Sequence, residues 1–124
     1  MPLSAKARLE IYLPDLPSLL CQELLEAFRG EFTYTFGGCT VVSGLHGSYQ
    51  SRLGIPIEDR VNLIFTDTPF VFDTEIEKIS RYADALREIA FAALDEEAIL
   101  VVAFKVYHSG YSRRQLSTTS QRES

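Results

Sequence analysis

Long apolar runs, basic charge, cysteine and histidine are all scarce in this 124-residue chain, and each scarcity closes off a class of function. The longest apolar run, Ala98 to Phe104, is far short of the roughly 18 residues a bilayer-spanning helix needs. No basic start followed by an apolar run opens the chain, so the expectation is a soluble, cytoplasmic protein with no membrane partner. The formal net charge is −5, and its distribution is uneven. In the last twelve residues Arg113, Arg114 and Arg122 face only Glu123, so 9 of the 12 basic and 16 of the 17 acidic side chains fall in the rest. An acidic body argues against nucleic acid as a partner, because phosphate contacts need a basic face. The two cysteines, Cys21 and Cys39, are too few for a disulfide framework and read as reduced thiols.

Chemistry-bearing motifs are equally thin. Cys39 and the two histidines, His46 and His108, match no compact zinc spacing, so no metal site is expected. A Cys39–His46 nucleophilic pair lacks any residue to orient the imidazole, and a structural cysteine beside an exposed histidine is the simpler reading. No Gly-x-Ser-x-Gly elbow, Walker glycine loop or Rossmann fingerprint is present. The sequence therefore names no catalytic residue, and the cofactor is unknown.

What the chain does contain is clear periodicity. Residues 6–13 alternate, with Leu9, Ile11 and Leu13 on one face and Arg8, Glu10 and Tyr12 on the other, as in a half-buried strand ended by Pro14. A helix is expected from Pro17 and Ser18, with Leu20, Leu24 and Phe28 as its stripe and Gly30 as its stop. A second strand over 31–43, interrupted by Gly37-Gly38, and a third over 60–67 follow. Between them a long loop spans Ser43 to Asp59, where most hairpin connections take two to about five residues. A second helix has Thr74 or Asp73 as cap and Ile76, Ile79, Ala83, Leu86, Ala90 and Leu94 as its stripe. Asp95-Glu96-Glu97 is an acidic turn, Ala98 to His108 a final strand, and residues 112–124 a disordered tail to a single domain over 1–111.

The order βαββαβ predicts an α+β fold, the ferredoxin-like sandwich of a four-stranded antiparallel sheet with two helices on one face. The first and third strands are expected to be central and parallel. Leu9, Ile11, Leu13, Val61, Leu63 and Phe65 are assigned to the helix side. The open face would carry Arg8, Glu10, Tyr12, Asn62, Ile64 and Thr66, with Ile99, Val101, Ala103, Lys105 and Tyr107 from the last strand if the parities hold. That face is too apolar to be left to water, which predicts a homo-oligomer, trimer or dimer. The same topology is expected to gather the long loop and the end of the last strand at one pole. The candidate ligand-binding residues are therefore His46, Ser48, Tyr49, Arg52, Arg60, Tyr107 and His108. Loop glycines and arginines of this kind suit a small anionic ligand, and a protein partner is the other occupant.

This plan resembles the PII-like signalling proteins: the βαββαβ order, the long connection at Ser43–Asp59 in the position of that family's mobile loop, and a tail carrying Arg113-Arg114. The resemblance implies a cytosolic, trimeric, non-catalytic sensing module. It departs at the turn before the last strand, where that family's phosphate-binding, lysine-containing glycine turn is replaced by Asp95-Glu96-Glu97. Three carboxylates there would repel a phosphate. The resulting expectation is an oligomeric sensing or protein-interaction module that uses residues 43–60. The alternative is a small oligomeric enzyme of the dimeric α+β barrel type, with Tyr12, Asn62, Tyr107 and His108 around a pocket on the open sheet face.

Overall fold

The computed structural model describes residues 3–94 and 99–109. The acidic turn at Asp95-Glu96-Glu97, the domain boundary near residue 111 and the arginines of the tail lie outside those residues. The elements are β1 (Leu3–Pro14), α1 (Leu19–Phe36), β2 (Thr40–Gln50), β3 (Pro56–Thr68), α2 (Ile76–Leu94) and β4 (Leu100–Ser109). They build the α+β βαββαβ sandwich expected from the periodicity. The sheet order is β2-β3-β1-β4, and every neighbouring pair is antiparallel. β1 and β3 are central, but they run antiparallel rather than parallel. The α1 crossover makes β1 and β2 point the same way, and β3 returns between them in the opposite sense.

The first helix runs further than its glycine suggested. Ser18 caps its start by accepting the Cys21 amide at 3.1 Å. The helix then passes through Gly30 and ends at Phe36, with Gly37 at φ 90° as its left-handed cap, donating to the Thr33 carbonyl at 3.0 Å. Packing explains the extension. Cys21, Leu24, Phe28 and Phe32 form one buried stripe, and Phe36 joins it half-buried at the next fourfold step. Burying Phe32 contributes about 1.5–3 kcal/mol, more than the roughly 1 kcal/mol that an exposed mid-helix glycine costs. Gly37-Gly38 is consequently a helix exit and not a strand interruption. In α2 the buried stripe is Ile79, Leu86 and Ala90. Neither expected cap closes that helix: Asp73 instead pairs with Lys105 at 2.7 Å, and the Glu75 carboxylate accepts the Val71 amide at 2.9 Å.

The long loop is a hairpin arm. Residues 43–50 belong to β2 and 56–59 to β3, and only Ser51–Ile55 turn. The turn is stitched by the Ser51 amide to the Ile55 carbonyl and the Gly54 amide to the Ser51 carbonyl, both 2.9 Å. Because β1 ends where Pro14 meets Val61, the strands from His46 to Gln50 and from Pro56 to Arg60 extend past the four-stranded sheet. At about 3.4 Å per residue this arm reaches roughly 17 Å before its turn. A β-bulge sits at its base, where Ser43 and Gly44 together oppose Asn62. Gly44 has φ 71°, a conformation that other residues adopt only under strain.

Register reverses the expected faces of both β3 and β4: Val101, Ala103, Lys105 and Tyr107 pair with helix-side residues of β1, and Ile99 joins the core. Ile11 pairs with Ile64, and Leu9 with Thr66. The helix side is therefore Ala7, Leu9, Ile11 and Leu13 with Ile64, Thr66 and Thr68, all buried, together with Ile99 and Val101. The threonines are tolerated there because each hydroxyl donates to a backbone carbonyl, Thr66 to Gly38 at 2.7 Å and Thr68 to Ala7 at 2.9 Å. Val61, Leu63 and Phe65 take the open face instead. They lie beside Arg8, Glu10 and Tyr12, whose partners across β4 are Phe104, Val102 and Leu100. The open face is thus more apolar than the expected assignment made it, and Tyr107 has the helix-side parity.

Candidate functional site

The antiparallel register separates residues that were expected to meet. The β2–β3 turn lies beyond one end of the sheet, whereas Tyr107 and His108 lie at the other, opposite Ala5 and Ser4 of β1. From Arg60 to Asp67, the neighbour of His108, the strand rise of about 3.3 Å per residue spans roughly 23 Å. The seven candidate residues therefore fall into two groups. His46 pairs directly with Arg60, Ser48 with Glu58 and Tyr49 with Ile57, and Arg52 lies in the turn. Tyr107 and His108 form the second group. Cys39 lies just before Thr40, which opposes Phe65, so it is far along the strand from His46. Its sulfur contacts Thr33 and the Arg29 carbonyl. Among the described residues no group of three or more His, Cys, Asp or Glu is arranged to hold a metal ion.

At the base of the arm, polar groups interlock. The bulge frees the Gly44 amide, which donates to Asn62 Oδ1 at 3.2 Å. The same carboxamide donates through Nδ2 to Asp15 Oδ1 at 3.4 Å, and the other Asp15 oxygen lies 3.2 Å from the Arg60 guanidinium. The Asp15 amide closes the ring by donating to the Arg60 carbonyl at 2.9 Å. Asp15 is thereby placed by β1 ending at Pro14, Asn62 by the helix-side parity of β3, and Gly44 by the bulge. Beside this ring opens a cavity of about 280 Å³ lined by Asp15, Leu16, Pro17, Cys21, Gln22, Leu25, Arg60 and Asn62. It joins a carboxylate, a guanidinium and two carboxamides to an apolar wall. The Arg60 side chain is 62% exposed, so its ion pair with Asp15 contributes at most about 1 kcal/mol and opens easily.

At the opposite end, on the open face, Asp67 holds Arg8 and His108 together. Arg8 Nε and Nη2 reach its two oxygens at 2.6 and 3.0 Å, and His108 Nε2 lies 3.0 Å from Oδ2. The Arg8 guanidinium also stacks 4.6 Å above the Phe65 ring. The hydrogen bond from Arg8 holds the Asp67 carboxyl below the usual carboxylate range, and Asp67 in turn raises Arg8. Nearby, burial and then the hydrogen bond to Glu10 push the Tyr12 phenol up. Arg8, Asp15 and Asp67 were not among the candidates drawn from the sequence. Asp15 beyond a strand-ending proline and Asp67 at a strand end were the available signals, but their partners come from other strands.

No protein-family model matches the chain, and no curated protein sequence matches it. Solved structures do. The chain is similar to CutA1 from Oryza sativa at TM-score 0.57 and 16% identity, over 96% of this chain and 94% of that one. It is similar to the divalent cation tolerance protein CutA1 from Thermus thermophilus at TM-score 0.55 and 17% identity, over 92% and 93%. A nitrogen regulatory PII-like protein, CPII from Thiomonas intermedia, matches at TM-score 0.49 and 18% identity, over 88% and 92%. At these identities the likeness is one of fold. The two CutA1 structures uphold the fold expected from the sequence and nothing finer.

Proposed function

We propose that this protein is a non-catalytic, oligomeric sensing or interaction module. In this reading copies of the chain pack through their open sheet faces, and the arm over residues 43–60 receives a small ligand or a protein partner. The observation that carries it is the composition of that face. Val61, Leu63 and Phe65 of β3 and Val102, Phe104 and Val106 of β4 form two half-buried apolar rows on either side of the Arg8, Glu10 and Tyr12 row of β1, with Val42 and Leu100 exposed at their margins. Two apolar rows flanking a paired, half-buried polar one resemble an interface more than a solvated sheet face, which would be polar throughout. The arm supports the second half of the reading, because Leu53, Ile55 and Ile57 sit exposed beyond the domain's own core.

Native mass spectrometry and sedimentation velocity test the assembly. The unsubstituted protein is expected to be a trimer or dimer, and Leu63→Asp and Phe104→Asp, each placing a carboxylate on the open face, are expected to give folded monomers. A monomeric unsubstituted protein, or variants that remain assembled, would sink the proposal.

A further inference from the structure

We propose that the cavity at the base of the arm binds a compact zwitterion of the α-amino-acid class, its carboxylate on Arg60 and its ammonium on Asp15. This deepens the sensing reading above by giving the module a ligand class, and it rests on that reading only for its consequence.

Three features carry it. The first is charge. The cavity is lined by one carboxylate and one guanidinium, with Gln22 and Asn62 as neutral donors and acceptors. A simple anion drawn to Arg60 would lie against Asp15 and be repelled, and a simple cation would meet the reverse. A molecule carrying both charges a few atoms apart satisfies both at once, with the guanidinium fork suited to a carboxylate. The second is the ease of opening. On the 3.2 Å contact the Arg60 side chain is 62% exposed and free to turn outward, whereas Asp15 is only 28% exposed and stays tethered to Asn62 through its other oxygen at 3.4 Å, so the acid keeps its place when Arg60 turns to a ligand. The third is size and lining. About 280 Å³ falls just below the range for drug-sized ligands, and Leu16, Pro17, Cys21 and Leu25 offer an apolar wall to a side chain.

The consequence lies in the ring of hydrogen bonds. Asn62 links Asp15 to the bulge amide of Gly44, so a ligand that redraws the Asp15 contacts acts on the base of the arm.

Isothermal titration of the full chain with a panel of free amino acids tests the site, with N-acetyl-leucine and leucinamide as single-charge probes beside leucine. At least one free amino acid is expected to bind saturably. Each blocked analogue, and each of the variants Arg60→Gln and Asp15→Asn, is expected to weaken binding roughly tenfold or more. Tyr34→Ala, at a position 92% exposed at the end of α1 away from Cys21 and Gln22, is expected to leave it unchanged and serves as the folded control. Equal affinity for leucine and N-acetyl-leucine would make this an anion site and overturn the proposal, as would no saturable binding by any free amino acid. An oligomer that binds none sinks the zwitterion site alone, and a monomer that binds one sinks only the assembly.

Discussion

The Asp67 carboxylate grips the Arg8 guanidinium through two hydrogen bonds, 2.6 Å from Nε and 3.0 Å from Nη2, across the two central strands of the sheet. The pair lies on the open face and also holds His108.

Acid should therefore weaken the fold through Asp67. Its carboxyl is held below its ordinary value by Arg8, so its contribution is fully present above about pH 4, the unfolded range, and is lost as pH falls through the lowered folded value. Asp67→Asn should be less stable than the unsubstituted chain at pH 7, with the difference closing as both are acidified. Urea midpoints measured from pH 7 to pH 2 check this, and a gap that stays constant with pH would refute it.

Two glycines in and beside α1 should respond to alanine with opposite signs. Gly30 lies inside the helix with nothing within 4 Å of an added Cβ, so Gly30→Ala should stabilise by about 0.5–1 kcal/mol. Gly37 is equally open but sits at φ 90°, so Gly37→Ala should destabilise by about 1–2 kcal/mol through backbone strain. Denaturant titrations of the two variants locate the end of the helix, and effects of like sign would contradict the boundary.

The aromatics at 32 and 34 should differ sharply. Phe32 is fully buried and Tyr34 is 92% exposed. Phe32→Ala should cost about 3–5 kcal/mol and Tyr34→Ala no more than about 0.5 kcal/mol. Were the segment a strand, the two side chains would share a face and respond alike, so similar losses would argue for the strand.

The arm should be dispensable for folding. Leu53, at its turn, is 86% exposed, so Leu53→Ser should change the stability of the fold by no more than about 0.5 kcal/mol. A thermal or urea melt shows whether this holds. A loss of several kcal/mol would mean that the arm is part of the core.

The sequence by itself determined the element order, the start of α1 near Ser18 and the buried face of β1, because these depend on local periodicity and helix-start chemistry. It also pointed to an apolar open face, but through Ile64, Ile99, Val101 and Ala103, which lie on the helix side. Tertiary structure alone decided the rest. The stretch Glu31-Phe-Thr-Tyr-Thr-Phe has strand-forming residues, yet Phe32 and Phe36 pack as the continuation of a helical stripe, and the gain from burial outweighs local preference. The run from Ser43 to Gln50 is rich in glycine and serine and reads as loop. It becomes strand because β3 lies alongside and completes its hydrogen bonds. Which parity of β3 meets the helices was settled by one register, Ile11 opposite Ile64, since a slip of a single residue exchanges the two faces. The same antiparallel pairing sent His108 to Asp67 and left His46 beside Arg60 at the other end. Periodicity within a segment cannot encode which strand, at what offset, will lie next to it, and the position of the site depends on that pairing.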